Sequence, residues 1–407
     1  MSQRFMTGPV FHRLSISLAL AGCTSFAQAA GFALVEQNAS GLGNAYAGQA
    51  ASAQDASTIF FNPAGMTLLP DRQVVLVGNL IQPQADFSGT VSPAIGGGNG
   101  GDAGSLAFVP NAYLSFRVTP DVTLGVGLNA PFGLKTEYDS TWKGRTQAIT
   151  SELETININP AIAWKASEAL SLGAGVSFQY AKARLSNLVG APGVATVKGD
   201  DYGWGFNLGA LWQASDATRV GIAYRSEVDQ TLEGNLMFSI APTVIPVSAG
   251  VTLPDSASLS VFHKLNQQWE LLADVTWTGW SDFKELRIVS NGGTTLGLTP
   301  ENWDDSYRYS VGANYHLDEQ LTLRGGVAYD QTPVQDAFRT ARMPDESRTW
   351  LAFGAQYRLS DTSALDFGYA HLFVEDASIN STEKGITLSG SYDSSIDILS
   401  AQYTLDF

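Results

Sequence analysis

Cysteine is almost missing from this sequence: 407 residues include one, Cys23, so the chain beyond it has no disulfide, no thiol chemistry and no cysteine-ligated metal. Charge is scarce as well, at 15% of residues, against roughly 25% in an ordinary soluble domain. A surface so poor in charge does not meet water everywhere. Cations are the scarcer sign: 23 Lys and Arg against 39 Asp and Glu leave a net charge of −16. Nucleic acid is therefore not an expected partner, because neutralising phosphates takes basic patches that are not evident here. The acidity suits solubility, or a surface bridged by divalent cations to anionic lipopolysaccharide. After residue 30 no stretch approaches the ~20 consecutive apolar residues of a membrane-crossing helix. A chain that nevertheless crosses a membrane must do so as a closed barrel, the other structure that satisfies every backbone polar group in lipid. Histidine is rare too. His263, His316 and His371 follow residue 30, none beside a serine in a G-x-S-x-G nucleophile motif. No metal-ligand cluster or phosphate-cradling glycine loop stands out, so neither enzyme activity nor a cofactor is expected.

What is present starts with an export signal. Arg4 and Arg13, the apolar run Leu14 to Ala21, and Ala27-Gln28-Ala29 match the charged, apolar and cleavage regions of a signal peptide over residues 1–29. Leu20-Ala21-Gly22-Cys23 also reads as a lipobox, with Cys23 as the lipidated residue. Either reading sends the chain past the inner membrane.

From Val74 onward the sequence repeats one unit: an alternating strand, a short polar turn, another alternating strand, and a longer loop rich in Gly, Asn and Thr. The short turns are Thr119-Pro120-Asp121, Ala166-Ser167-Glu168, Ala214-Ser215-Asp216, Asn266-Gln267-Gln268, Leu317-Asp318-Glu319 and Ser360-Asp361-Thr362, each shortly after an aromatic residue (Phe116, Trp164, Trp212, Phe262, Tyr315, Tyr357). Two strands flank each turn, and one more at either end makes fourteen. The fold class expected is therefore all-β, a fourteen-stranded antiparallel transmembrane barrel over residues 71–407 with short periplasmic turns and longer outer loops. Parity gives the facing. Leu170, Leu172, Ala174, Val176, Phe178 and Tyr180 alternate with Ser171, Gly173, Gly175, Ser177 and Gln179, so lipid lies outside and a polar lumen inside. Tyr202 to Trp212 repeats the pattern, with aromatics at both ends as an interfacial girdle requires. Leu399, Ala401, Tyr403, Leu405 and Phe407 alternate to a terminal aromatic, similar to the signal read by the outer-membrane barrel assembly machinery. Gly96-Gly97-Gly98-Asn99-Gly100-Gly101 reads as a flexible outer loop.

Residues 30–70 break the pattern. Gly31, Gly41, Gly43, Ala45, Ala47, Gly48, Ala50 and Ala51 make them rich in small side chains, which suits a segment packed in a confined space. Ala30-Gly31-Phe32, the run Asn38 to Gly48, Asp55-Ala56-Ser57 and Asn62-Pro63-Ala64 resemble the hatch of FadL/TodX-type outer-membrane transporters of hydrophobic compounds. Pro131-Phe132-Gly133-Leu134-Lys135-Thr136-Glu137-Tyr138 with Trp142 and Gly144-Arg145 also looks like that family. The resemblance implies a barrel plugged by its N-terminal segment, and passive uptake of long-chain fatty acids or, alternatively, of small aromatic or aliphatic hydrocarbons. It implies that ligand is gathered by outer loops and leaves sideways beside a kinked third strand, that Phe32 is a candidate gate, and that the protein acts as a monomer. Asn62-Pro63-Ala64 fixes a bend, since a residue before proline is pushed to extended backbone. Pro131 and Gly133 lie at the end of the third expected strand, where pairing should fail; they either open the wall or merely end the strand. Leu134, Tyr138 and Trp142 would then serve the outer loop and collect ligand.

A fatty acid needs a cationic partner for its head group, and arginine suits a carboxylate best. Parity directs Arg225, Arg308, Arg324 and Arg348 toward the lumen. Asp201, Asp274, Asp330 and Asp366 share that parity and could neutralise them in a structural ladder; Arg308 and Arg324, on one hairpin, lead as ligand contacts. The rival functions are a general porin, which a hatch argues against, an energised transporter, which needs a larger plug and a coupling segment, and a lipid-active outer-membrane enzyme.

Overall fold

The computed structural model describes residues 30–190 and 193–407; the expected signal peptide, with Cys23, lies outside the described residues. Because side chains alternate faces along a strand, each apolar-out, polar-in run forms one strand of the wall. In chain order the strand segments are β1 (Arg72–Ser92), β2 (Ala107–Thr119), β3 (Val122–Asn129), β4 (Gly133–Glu137), β5 (Thr150–Lys165), β6 (Leu170–Gly190) and β7 (Gly193–Ser215). Next come β8 (Thr218–Arg225), β9 (Val228–Phe238), β10 (Ala241–Leu253), β11 (Ser256–Lys264), β12 (Trp269–Thr278), β13 (Glu285–Ser290) and β14 (Thr295–Pro300). The last are β15 (Ser306–His316), β16 (Leu321–Asp330), β17 (Arg348–Ser360), β18 (Ser363–Val374), β19 (Ala377–Glu383) and β20 (Ile386–Asp406). Six wall strands are broken into two segments (β3/β4, β8/β9, β10/β11, β12/β13, β14/β15, β18/β19), so the closed antiparallel barrel has fourteen. The ring closes where β1 pairs with β20 from Gln73↔Asp406 to Ser92↔Thr387. No helix among the described residues is long and apolar enough to cross a membrane.

The six short turns all join hairpins, as in Thr119↔Val122, Ser215↔Thr218 and Ser360↔Ser363. Facing follows the alternation: Leu172, Val176 and Phe178 are exposed on the lipid side while Ser171, Ser177 and Gln179 are buried. Phe116, Trp164, Trp212 and Tyr357 face outward near the turns, but Phe262 turns inward and the Arg219 guanidinium lies 4.2 Å over its ring.

Residues 30–70 form one-turn helices at Ala39–Leu42, Gln49–Ser52 and Thr58–Phe61 and a 3-10 turn at Pro63–Leu68. Such short helices have little stability alone; burial against the inner wall holds them, and Ala39, Leu42, Ala47, Ile59 and Ala64 have no solvent exposure. The wall meets this segment with glycines. A Cβ on Gly173 would overlap the Pro63–Ala64 backbone, one on Gly209 the Asn62 side chain, one on Gly221 the Ala50 carbonyl and one on Gly326 the Asn44 carbonyl. Asn62 caps the 3-10 turn by accepting from the Ala64 amide (3.1 Å) and ties it outward by donating to the Ala50 (2.6 Å) and Ala210 (3.0 Å) carbonyls, with Pro63 at the first position.

Two expectations for the outer loops are corrected. Trp142 is fully buried, stacked on Tyr138 with centroids 4.0 Å apart and donating from Nε1 to the Ala148 carbonyl (2.7 Å), so the pair holds the loops together and offers no surface to ligand. The glycine-rich run is pinned where a flexible loop was expected. Arg145 donates to the Ile95 (2.7 Å) and Gly96 (2.8 Å) carbonyls, and the Lys143 amide donates to Gly98 (3.0 Å).

Candidate functional site

The third wall strand breaks between Asn129 and Gly133. Asn129 is opposite Asn157 and Gly133 opposite Glu154, so Ala130, Pro131 and Phe132 face only Thr155 and Ile156, a bulge of three residues against two. Proline supplies no amide to the ladder. On the other side β2 pairs with β3 only as far as Ala112↔Leu128. Residues 107–111 of β2 then have no ladder partner toward β4 among the described residues, and the wall is interrupted there. Beyond the bulge the strand resumes, so Pro131 kinks it and does not end it.

The start of the N-terminal segment fills the interruption. Ala33 bridges to Phe132 as a short antiparallel pair; the Leu34 amide donates to the Pro131 carbonyl (2.8 Å) and the Gly133 amide to the Phe32 carbonyl (2.9 Å). Gln37 Nε2 donates to the Ala130 carbonyl (3.0 Å), and Thr155 Oγ1 clasps Phe132 by accepting from its amide (3.0 Å) and donating to its carbonyl (2.6 Å). The backbone groups the bulge frees are thus satisfied by residues 32–37 and by Thr155.

Phe32 is buried in an aromatic cage. Its ring centroid lies 4.6 Å from Trp280, 5.5 Å from Trp303, 5.8 Å from Phe283 and 6.2 Å from Phe132. Leu134, Leu153, Val228, Leu253, Val334 and Met343 complete the buried cluster, so Leu134 supports the cage and is no outer-loop collector. Burying such a ring contributes about 1.5–3 kcal/mol, and each edge-on aromatic contact about 0.5–1.5 kcal/mol more. Glycine is required next door. Gly31 has φ +62°, a Cβ there would come within 2.7 Å of the Trp280 ring, and its amide donates to Asp345 Oδ2 (3.1 Å). The alternation pattern offered no sign of Trp280, Phe283 and Trp303, because all three fall in breaks between segments; their signal was aromatic residues out of phase with the strands.

Below the cage lies a cavity of about 150 Å³, lined by Leu34, Phe60, Phe61, Pro131 and Phe132 together with Arg225, Arg308, Asp274 and Asp330. Arg225 donates to Ser177 Oγ and the Phe60 carbonyl (both 2.9 Å) and lies 4.3 Å over the Phe60 ring. Arg308 donates to the Ala45 carbonyl (2.7 Å), with Trp350 5.0 Å away. Neither forms an ion pair among the described residues. The other two arginines do: Arg324 pairs with Asp366, and Arg348 with Asp345 and, at 3.9 Å, Asp330. The structure therefore brings Arg225 and Arg308 to the cavity and leaves Arg324 and Arg348 in structural pairs. Asp274 is held by Ser260 and Thr276, while Asp201 accepts from the Thr231 amide (2.6 Å). Between Phe32 and Asn38, Glu36 is enclosed, and burial pushes its carboxyl up to about 7 despite the opposing pull of Arg348 and Arg308.

Above the cage a second cavity of about 630 Å³ opens among the outer ends of the strands and loops, lined by Leu185, Val197, Leu236, Ile245, Leu286 and Ile288 with Arg342 and Lys384. Phe132 of the cage lines the first cavity, and Leu286, packed against the same cluster, lines the second.

Residues 20–407 match the family described as outer membrane protein transport protein (OMPP1/FadL/TodX). The chain is 30% identical over 409 residues to a long-chain fatty acid transport protein of Salmonella typhi, covering 91% of this chain and 94% of that protein. It resembles the crystal structure of a Pseudomonas aeruginosa FadL homologue with a TM-score of 0.88 at 28% identity, over 93% of this chain and all of that one. The fold is shared also with the P. putida toluene transporter TodX, at a TM-score of 0.66 and 20% identity over 86% of this chain and 94% of that one.

Proposed function

The chain belongs to the OMPP1/FadL/TodX family of outer-membrane transport proteins, and from that premise we propose that it takes up long-chain fatty acids through a hatch-gated lateral route. Membership makes it an outer-membrane barrel for hydrophobic compounds; the fatty acid, the gate and the exit are our reading. The observation that carries it is the seam where Phe32 and its neighbours occupy the break in the third wall strand. Ligand collects in the outer cavity, passes when Phe32 leaves its cage, enters the inner cavity and exits beside Pro131 and Gly133 into the bilayer. The N-terminal segment, held through Asn62, Pro63 and Ala64, is the hatch that keeps the periplasmic end shut.

The head group is assigned to Arg225 and Arg308. A buried guanidinium without an acid partner is costly, and a carboxylate meeting it gains charge-assisted hydrogen bonds worth about 1.5–3 kcal/mol each. A second reading has its own support. The inner cavity is of the size, about 150 Å³, at which an apolar cavity accepts a benzene-sized molecule, so small hydrocarbons are the alternative cargo.

Uptake of labelled oleate and labelled toluene, in cells lacking their own transporter of this type, separates the two. With Arg225→Met and Arg308→Met together, oleate uptake should fall about tenfold or more, since about 1.4 kcal/mol is a factor of ten, while toluene uptake stays within about twofold. Equal loss of both would remove the head-group role. Toluene uptake alone by the unaltered protein would move the cargo to hydrocarbons, and uptake of neither would sink the reading for both ligands.

A further inference from the structure

The wall of the Phe32 cage is held by a residue the transport route itself does not use. Trp303 contacts Phe32, Trp280 at 5.0 Å and Phe283 at 5.0 Å, and its indole Nε1 donates to Glu301 Oε2 at 3.0 Å. Both side chains are buried, Glu301 to 5% exposure and Trp303 to 1%. Glu301 sits in the break between β14 and β15, its own amide donating to the Lys284 carbonyl (2.9 Å). Two charged groups face it: Arg342, from the loop between β16 and β17, and Glu383, from β19. Arg342 is committed elsewhere, donating to the Gln147 carbonyl (2.7 Å) and Ser151 Oγ (3.2 Å), and forms no ion pair with Glu301. An ionised carboxylate would thus be buried there without a salt bridge, which is unfavourable.

We propose that Glu301 is a proton-linked positioning residue of the gate: as a neutral carboxyl it fixes Trp303 against Phe32, and on losing its proton it favours the open arrangement, in which water reaches it. The inference rests on Phe32 being the gate. Burial pushes the Glu301 carboxyl up to about 8 in the closed cage, outweighing the Trp303 hydrogen bond and then the Arg342 charge, which both oppose the rise, while the Glu383 charge adds to it. A hydrated carboxyl in the open state titrates near about 4.3. The closed state therefore keeps a proton that the open state has lost. Opening becomes progressively more favourable as pH rises between those values and levels off above about 8, by at most about tenfold per pH unit. Glu36, in the moving segment, adds a response of the same sign that flattens above about 7. From about pH 7 to about pH 8 Glu301 contributes the larger part, about fivefold against less than about twofold from Glu36.

The test uses the full barrel, with labelled toluene as a neutral probe whose own charge does not change with pH, and fluorotryptophan labelling to follow the Trp303 resonance, assigned by Trp303→Phe. In the unaltered protein, the resonance should titrate with a midpoint near about 8, and uptake should rise about threefold or more from about pH 7 to about pH 8. Glu301→Gln keeps an acceptor for the indole without a titrating proton and so favours the closed arrangement at every pH: uptake at about pH 7 should fall about tenfold or more, the resonance should no longer titrate, and the rise over this interval should shrink to less than about twofold. Glu301→Leu removes the acceptor and should broaden or split the Trp303 resonance. A Glu301→Gln protein that keeps the full rise overturns the proposal. Phe32→Ala is run in parallel: if it changes uptake and the Glu301 variants do not, the positioning role fails alone, whereas if Phe32→Ala changes nothing, the gate beneath it fails.

Discussion

Valine in place of Gly326 should make the barrel leak, while valine in place of Gly325 should leave it sealed. The two residues are neighbours on β16 and face opposite ways, so the substitution adds the same atoms to the same strand on two surfaces. At Gly326 a Cβ would overlap the Asn44 carbonyl, backbone that has no flexible side chain to swing aside; at Gly325 nothing lies within 4 Å. Asn44 has little freedom to retreat, because Ala45 and Tyr46 follow it in left-handed backbone at φ 53° and 55°, and its Nδ2 donates to Asn314 Oδ1 at 3.2 Å. Overpacking of this kind costs about 1–3 kcal/mol and sometimes more, enough to displace a segment whose own helices are one turn long. Valine is well suited to a lipid-facing strand position. Conductance of the purified barrel in planar bilayers, with susceptibility of cells to a large polar antibiotic, should rise about tenfold or more for Gly326→Val and stay at the unaltered level for Gly325→Val. Equal tightness of both would mean that the N-terminal segment does not seal the lumen.

Removing Pro131 should abolish uptake without harming assembly. Three residues now face two across β3/β4 and β5, between Asn129↔Asn157 and Gly133↔Glu154. Deleting one restores a one-to-one ladder, and taking out the proline returns an amide at every position. Regular pairing satisfies the backbone groups that residues 32–37 now serve, so the third strand can close against β2, whose residues 107–111 have no ladder partner on that side among the described residues. Oleate and toluene uptake should both fall about tenfold or more at unchanged expression and unchanged heat-modifiable migration of the barrel. Retained uptake would argue that ligand leaves by another path. In that event, the periplasmic end guarded by Gly326 would be the place to look, and the two experiments constrain each other.

The barrel was legible because its physics is local and repetitive. Period-two alternation, six polar turns at nearly even spacing and the absence of long apolar runs leave one arrangement that satisfies the backbone in lipid, and it is the one observed. Parity also directed Arg225, Arg308, Arg324 and Arg348 inward, since a strand's facing depends on nothing but position along it. Which of them carry a free charge could not be read from parity. Arg324 and Arg308 lie on one hairpin and looked alike, yet Asp366, across the β17–β18 ladder, neutralises the first, whereas the second opens into the cavity. Likewise Trp142, in a loop with no periodicity, gave no indication that Tyr138 and Phe87 would bury it.

Sequence by itself thus determined the wall: its closure, its strand number and the sign of each face, all set by residues acting on their immediate neighbours. Only the tertiary structure decided what fills it. The Phe32 cage joins Phe132, Trp280, Phe283 and Trp303, residues up to 271 positions away from Phe32, and the glycines that seat the N-terminal segment matter because of backbone that approaches them across the lumen. Such contacts come from packing in three dimensions, where complementarity of shape and charge between distant segments selects the partners, and no period along the chain encodes that choice.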